Sequence, residues 1–219
     1  MENTKGKISA FQFYVMLFLS RTLTTVTYLS SYTENIRLSD MLVQPIFRIL
    51  IGTLIMLPVF RLYRRHNNKN ILELLNEKSE KLAKMVSVLY IVYFFYFTVV
   101  TLARLDLFAG TIVFPETDVE YILIFAIILC CYGAYLGLEP LGRSAVISAV
   151  LVIPALFFIM LTLVKKVDFL NLTPIFYNGV MPVVRVAVDS VGQTVEYGVI
   201  ALMFPRVTGK YRKGYFIWL

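Results

Sequence analysis

The chain has 219 residues, of which 58% are apolar and 16% are charged, and its mean hydropathy is +0.74. Soluble domains are about 45–50% apolar and about 25% charged, so this composition excludes an ordinary soluble protein and indicates a lipid bilayer as the solvent. The net charge of +7 does not indicate a nucleic-acid partner, because the basic residues cluster in alternate connections between apolar segments.

Six apolar segments approach or exceed the roughly 20 residues that a helix needs to cross the hydrocarbon core. They predict an all-α polytopic membrane protein with six transmembrane helices. The first segment is too long for the apolar region of a signal peptide and has no evident cleavage site, so we expect it to be retained as a helix. The predicted spans are 8–29, 41–60, 85–113, 119–138, 145–164 and 183–203.

The distribution of basic residues predicts the orientation of the chain. With a cytoplasmic N terminus, fourteen of the 21 Lys and Arg residues lie on the inner side, and the outer connections hold only Arg37, Lys165 and Lys166. This bias satisfies the positive-inside rule. The cytoplasmic loop 61–84 has apolar residues at helical spacing, which predicts an amphipathic helix, either along the inner leaflet or as a short solvated connection. The extracytoplasmic loop 165–182 is too interrupted by turn formers to span.

The residue types that carry covalent or metal chemistry are sparse in this sequence. Cys130 and Cys131 are adjacent within the fourth span and are interpreted as small apolar fillers. The single histidine, His66, lies in a basic loop with no second ligand candidate nearby, so no metal site is predicted. We also find no nucleophile triad, phosphate loop or cofactor motif, and the chain is not expected to be an enzyme.

Several stretches of the chain match a known family pattern, namely 84–96, 114–117 (FPET), 132–145 (YGAYLGLEPLGRSA), 171–174 (NLTP) and 178–182 (NGVMP), with Glu196 and Phe204-Pro205. In these stretches the chain resembles the spore germination permease family, the B subunit of germinant receptors within the amino acid/polyamine/organocation (APC) transporter superfamily. The resemblance implies a LeuT-like fold of about ten helices in two inverted repeats, with the first helix of each repeat broken at mid-membrane. The chain would supply the first repeat and the first helix of the second. Residues 215–219 look like the start of a seventh span, so we expect a truncated product or an incomplete reading frame.

The resemblance implies a permease-like receptor subunit that binds a small nutrient germinant, an amino acid, at mid-membrane and triggers spore germination. Its implied partners are the A and C subunits of the receptor, and its implied location is the spore inner membrane or the cell membrane. Two alternatives remain open. One is a proton- or sodium-coupled amino-acid transporter, and the other is a non-functional truncated fragment.

Broken helices can bind a ligand with the ends of their two half-helices, so the predicted breaks define the candidate site. In the sixth span the polar run 189–196 surrounds Gly192, and in the first span threonines interrupt the apolar run. Packing between helices is the alternative role for these threonines and for Tyr93, which lies in an aromatic stripe. The candidate ligand-binding residues are Thr24, Thr25, Tyr93, Ser190, Gly192, Gln193 and Glu196.

Ionisable residues at membrane depth are costly, by about 2.5–3.5 kcal/mol on insertion scales, and are therefore functional candidates. Glu196 is the first of these, and Asp189, two helical turns earlier, is expected to face the same cavity. Alternatively, Glu196 pairs with Arg48 or Arg21 only to hold helices together.

Four other charged residues have their own expectations. Arg48 lies centrally in the second span as an ion-coupling or structural charge. Arg104 lies nearer the outer third of the third span and is expected either to reach the headgroups or to have a partner elsewhere. Glu139 and Arg143 are four residues apart at the inner turn between the fourth and fifth spans, where we expect a local structural pair.

Overall fold

The computed structural model describes residues 8–28, 38–66, 69–113, 116, 118–164, 176–177 and 179–208, and most of them are helical. The helix Glu80–Phe108 continues into a π-helical turn at Ala109–Val113, and the helix Glu196–Met203 continues into a 3-10 turn at Phe204–Arg206. The helices are α1 (Ala10–Tyr28), α2 (Leu38–Met41), α3 (Gln44–Arg65), α4 (Ile71–Lys78), α5 (Glu80–Phe108), α6 (Val119–Leu136), α7 (Leu138–Leu163), α8 (Val180–Gly192) and α9 (Glu196–Met203).

Three helical segments are long and apolar enough to cross a membrane by length and composition, namely Ser39–Tyr63, Glu80–Val113 and Leu138–Leu163. They match the second, third and fifth predicted spans, and the shorter apolar helix Glu120–Leu136 matches the fourth. Large apolar side chains stand exposed along them, as expected where the surrounding medium is lipid. The protein is therefore a helical membrane protein, and crossing by α1 and by the pair α8–α9 stays a prediction.

The turn between α6 and α7 lies earlier in the chain than the sequence predicts. Gly137 alone joins the two helices, with φ 90°, a conformation that favours glycine. Residues 139–144 lie between the fourth and fifth predicted spans and are expected to form the inner turn. In the structure they belong to the first turns of α7. Pro140 is compatible with this position because amide groups in the first turn of a helix have no intrahelical acceptor.

A short parallel strand pair joins the two ends of the described chain. Ile8–Ser9 pairs with Val207–Thr208, so the first helix begins at Ala10, two residues after the predicted start of the span. Ile8 and Val207 are both buried in the main apolar cluster. That cluster also holds Phe13, Leu17, Met56, Tyr63, Val191, Tyr197 and Ile200, and it places α1 and α3 beside the pair α8–α9.

Helix α4 confirms the amphipathic helix predicted within 61–84. Asn70 caps it: its side chain accepts from the amide of Leu72, and its own amide donates to Glu73. The apolar residues of α4 are partly buried, while Glu77 and Lys78 are exposed. The Asn70 side-chain amide also donates to the carbonyl oxygen of Leu202 at 3.1 Å, which ties α4 to α9.

Several predicted features lie outside the described residues. They are the seventh-span start at 215–219, the 171–174 motif and most of the outer loop 165–182.

Candidate ligand site at the break in the sixth span

The sixth predicted span is two helices rather than one. Helix α8 ends at Gly192 and α9 begins at Glu196, with a turn between them. The amide of Gln193 still bonds to the carbonyl of Asp189 at 3.0 Å, whereas that of Thr194 bonds to Val191 at 3.1 Å. The predicted break within 189–196 is confirmed. A Cβ on Gly192 would meet nothing within 4 Å, so the break does not depend on the small size of that residue.

Glu196 is the buried carboxylate of this break, with a relative exposure of 2%. The Ser20 hydroxyl donates to its Oε1 at 2.7 Å, and Arg21 Nη1 lies 3.9 Å from its Oε2. Arg21 Nη1 also donates to the Thr194 hydroxyl at 2.9 Å. Of the two arginines considered as partners of Glu196, Arg21 is therefore the one in contact. An ionisable group placed so deeply needs such hydrogen bonds to offset its desolvation.

The predicted break in the first span is wrong, because α1 runs without interruption from Ala10 to Tyr28. The hydroxyls of Thr22, Thr24 and Thr25 donate to the carbonyl oxygens four residues earlier, at 2.9, 3.0 and 2.9 Å. These bonds satisfy the threonines within an intact helix, so no unwinding is required. A ligand-binding role for Thr24 and Thr25 stays a prediction, and no broken backbone supports it.

Helices α3 and α5 also bond to residues of the break. Gln44 Nε2 donates to the Ser190 hydroxyl at 2.7 Å. From α5, Arg104 Nη2 donates to Gln193 Oε1 at 2.9 Å, and the Tyr93 hydroxyl lies 3.5 Å from the Thr194 carbonyl oxygen. Of the two alternatives predicted for Arg104, the structure shows a partner elsewhere in the chain, because its guanidinium turns to the polar turn between α8 and α9.

Two glycines let tyrosines approach the break closely. A Cβ on Gly198 would lie 2.6 Å from Cε1 of Tyr93, and a Cβ on Gly52 would overlap the hydroxyl of Tyr197. Small residues at helix contacts allow such approach in membranes. Beside these contacts, residues of α3, α5 and α9 line an open, mainly apolar pocket of about 420 Å³. Its lining includes Tyr90, Tyr93, Tyr197 and Gly198.

The other predicted charges lie elsewhere. Asp189 is exposed on α8, whereas Glu196 is buried on α9. The expectation that the two carboxylates face one cavity is therefore wrong. It assumed a continuous helix, but a turn separates α8 from α9. The Glu139–Arg143 pair is confirmed as local, with 2.6 Å between Oε1 and Nη2 on the exposed first turns of α7. Arg48 is partly buried on α3, and its Nε atom has no hydrogen-bond partner.

The sequence indicated several of these residues but not their contacts. Ser20, Gln44, Thr194 and Arg104 stand out only as polar residues at membrane depth. Gly52 and Gly198 have a weaker signal, that of small residues on apolar helices. Within the described ranges no group of three or more His, Cys, Asp or Glu side chains is arranged to hold a metal ion.

The geometry defines a class of protein: a helical membrane protein whose polar site is formed by a discontinuous helix and the three helices around it. A family profile of spore germination proteins, the spore permease family, matches residues 7–217. The chain therefore belongs to that family. Comparisons with curated proteins and with solved structures gave no match.

Proposed function

We propose that this protein is a permease-like subunit of a spore germinant receptor and that it binds a small nutrient, an amino acid, at the break between α8 and α9. The observation that carries the proposal is Glu196, a buried carboxylate at a helix break that is bonded to Ser20 and lies beside Arg21. Discontinuous helices with exposed backbone ends are the usual substrate sites of transporters with inverted repeats.

The pocket of about 420 Å³ beside the break supports a small ligand with an apolar part. The proposal needs no covalent chemistry. Ligand binding shifts the balance between two arrangements of the helices by as much as the ligand's affinity differs between them. In this proposal the chain has the LeuT-like repeat arrangement, a cytoplasmic N terminus and a place in the spore inner membrane, and it signals to the A and C subunits of the receptor.

The test is binding of the twenty radiolabelled amino acids to the protein in lipid nanodiscs. We expect saturable binding of at least one amino acid, and its loss in Glu196→Gln. Glu139→Gln is the matched control, because it removes an exposed carboxylate far from the break. Absence of saturable binding to folded protein, or equal loss in both variants, would overturn the proposal.

The same buried carboxylate also supports a second candidate function, an ion-coupled amino-acid transporter in which Glu196 binds the proton or cation. Proteoliposomes that hold the protein distinguish the two. Ion-driven accumulation of the bound amino acid, abolished in Glu196→Gln, would favour transport. Binding without accumulation would favour a receptor.

A further inference from the structure

Arg48 lies on the face of α3 that packs against the break. Gln44, one turn before it, bonds to Ser190, and Gly52, one turn after it, contacts the ring of Tyr197. Positions four apart share a helix face, so Arg48 lies between these two contacts. Since Ser190 and Tyr197 flank the turn between α8 and α9, Arg48 is level with residues 193–195.

The guanidinium of Arg48 has a hydrogen-bond donor without an acceptor at the level of the break. Its Nε is buried and has no hydrogen-bond partner, and Arg48 takes part in none of the salt bridges among the described residues. Arginine at membrane depth is normally paired with an anion or with carbonyl oxygens. A donor left unsatisfied there costs free energy, which a bound acceptor would recover.

The charge around the break is positive. Arg21 and Arg104 bond to Thr194 and Gln193, and Arg48 lies on the third surrounding helix, between the contacts of Gln44 and Gly52 with Ser190 and Tyr197. Among the described residues, Glu196 is the buried carboxylate of the break, and Asp189, although near in sequence, is exposed. Three guanidinium groups against one buried carboxylate leave an excess of positive charge, which favours a negatively charged group on a ligand.

We propose that the break is a carboxylate-binding site in which Arg48 holds the ligand's carboxylate. This inference rests on the proposed function and makes it more specific: the carboxylate, rather than the amine or the side chain, is the group that the break recognises. Arginine suits this role because its planar guanidinium can bond both oxygens of a carboxylate at once.

The first experiment changes the ligand and leaves the protein intact. Calorimetry in nanodiscs compares the tightest amino acid of the panel, or L-valine if none binds, with its methyl ester, with isobutylamine and with isobutyrate. We expect the ester and the amine to bind about 10- to 100-fold more weakly than the amino acid, the range expected for losing a charge-assisted hydrogen bond. Isobutyrate, which retains the carboxylate, should show saturable binding.

The second experiment changes Arg48. Arg48→Gln should weaken the carboxylate probes about 10- to 100-fold, and Arg48→Lys should weaken them less, because it keeps the charge but not the planar pair of donors. Arg185→Gln, an exposed arginine on α8, is the matched control and should bind as the unmodified protein does. If Arg48→Gln does not fold, the comparison of probes decides alone.

The outcomes separate this inference from the proposed function. An amino acid that binds with no preference over its ester, or with the same affinity in Arg48→Gln, overturns the carboxylate site and leaves the proposed function standing. Isobutyrate that binds through Arg48 while no amino acid binds supports the site and overturns the amino-acid proposal. No binding of any probe to folded protein overturns both.

Discussion

The Ser20 hydroxyl and the Glu196 carboxylate, 176 positions apart in the chain, form a 2.7 Å hydrogen bond at the break in the sixth span. The bond links α1 to the first residue of α9. Since Glu196 is 2% exposed, the Ser20 hydroxyl is a donor to a buried carboxylate, and the contact couples the first helix to the break.

Ser20→Ala should destabilise the protein, because it leaves one oxygen of a buried carboxylate without its donor. The expected loss in the free energy of unfolding is about 1–3 kcal/mol, measured by unfolding in mixed micelles. Ser148→Ala, at an exposed position of α7, is the control and should change little. Equal effects of the two substitutions would contradict a stabilising role for the Ser20–Glu196 bond.

Local signals in the sequence were enough to predict the long helices and the break in the sixth span. The length of the apolar segments predicts the long helices, and a run of polar residues within an apolar segment predicts the break. The same logic failed for the first span, because the hydroxyls of Thr24 and Thr25 find acceptors within their own helix. Their residue types do not distinguish a helix that unwinds from one that stays intact.

The contacts around the break could not be predicted from one sequence. Gln44 meets Ser190, and Arg104 meets Gln193, only because α3 and α5 pack on either side of the turn. Pairing of Glu196 with Arg21 rather than Arg48 likewise depends on how α1 and α3 are placed. Such choices are made by tertiary packing, which residue spacing along one chain does not encode.

Gly198→Ala should disturb the site, since the new Cβ would lie 2.6 Å from the Tyr93 ring and either that ring or α9 must shift. Overpacking of this kind costs about 1–3 kcal/mol. Gly192→Ala is the matched control: its Cβ meets nothing within 4 Å, and alanine at a helix end is neutral or slightly stabilising. Thermal unfolding in detergent should show a lower midpoint for Gly198→Ala alone.

If the Gly198→Ala strain acts through the Tyr93 ring, then a smaller residue at position 93 should relieve it. The double variant Gly198→Ala with Tyr93→Leu should therefore lose less stability than the sum of its single changes. Additive losses would show that the two positions are not in contact.

A third contact ties the turn before α8 to α2. Asp40, 2% exposed, accepts the amide hydrogen of Phe176 on its Oδ1 at 2.6 Å, and Phe176 has a left-handed backbone with φ 59°. Asp40→Ala removes the acceptor and should cost about 1–3 kcal/mol in unfolding free energy, whereas Asp40→Asn keeps an acceptor oxygen and should cost less. Equal losses in the two variants would show that the charge of Asp40, rather than this bond, stabilises the turn.

Asn70 joins two roles that can be separated by mutation. It caps α4, and its side-chain amide bonds to the Leu202 carbonyl of α9. Asn70→Ala should lower stability by about 1–2 kcal/mol through the cap alone. Asn70→Ser keeps a capping oxygen but cannot reach Leu202 in the same way, so it should recover part of the loss. Asn76→Ala, exposed in the same helix, is the control and should leave unfolding unchanged.

The basic residues predict a cytoplasmic N terminus, and this predicted orientation can be tested at two exposed positions. In a background that lacks Cys130 and Cys131, Lys78→Cys on α4 should react with a membrane-impermeant maleimide only after the cells are permeabilised. Glu116→Cys, in the connection between α5 and α6, should react in intact cells. The physical reason is that lysine and arginine near span ends are retained on the cytoplasmic side during insertion. Reaction of Lys78→Cys in intact cells would contradict the predicted orientation. The chain would then have the opposite orientation, and a nutrient would reach the break from the other side of the membrane.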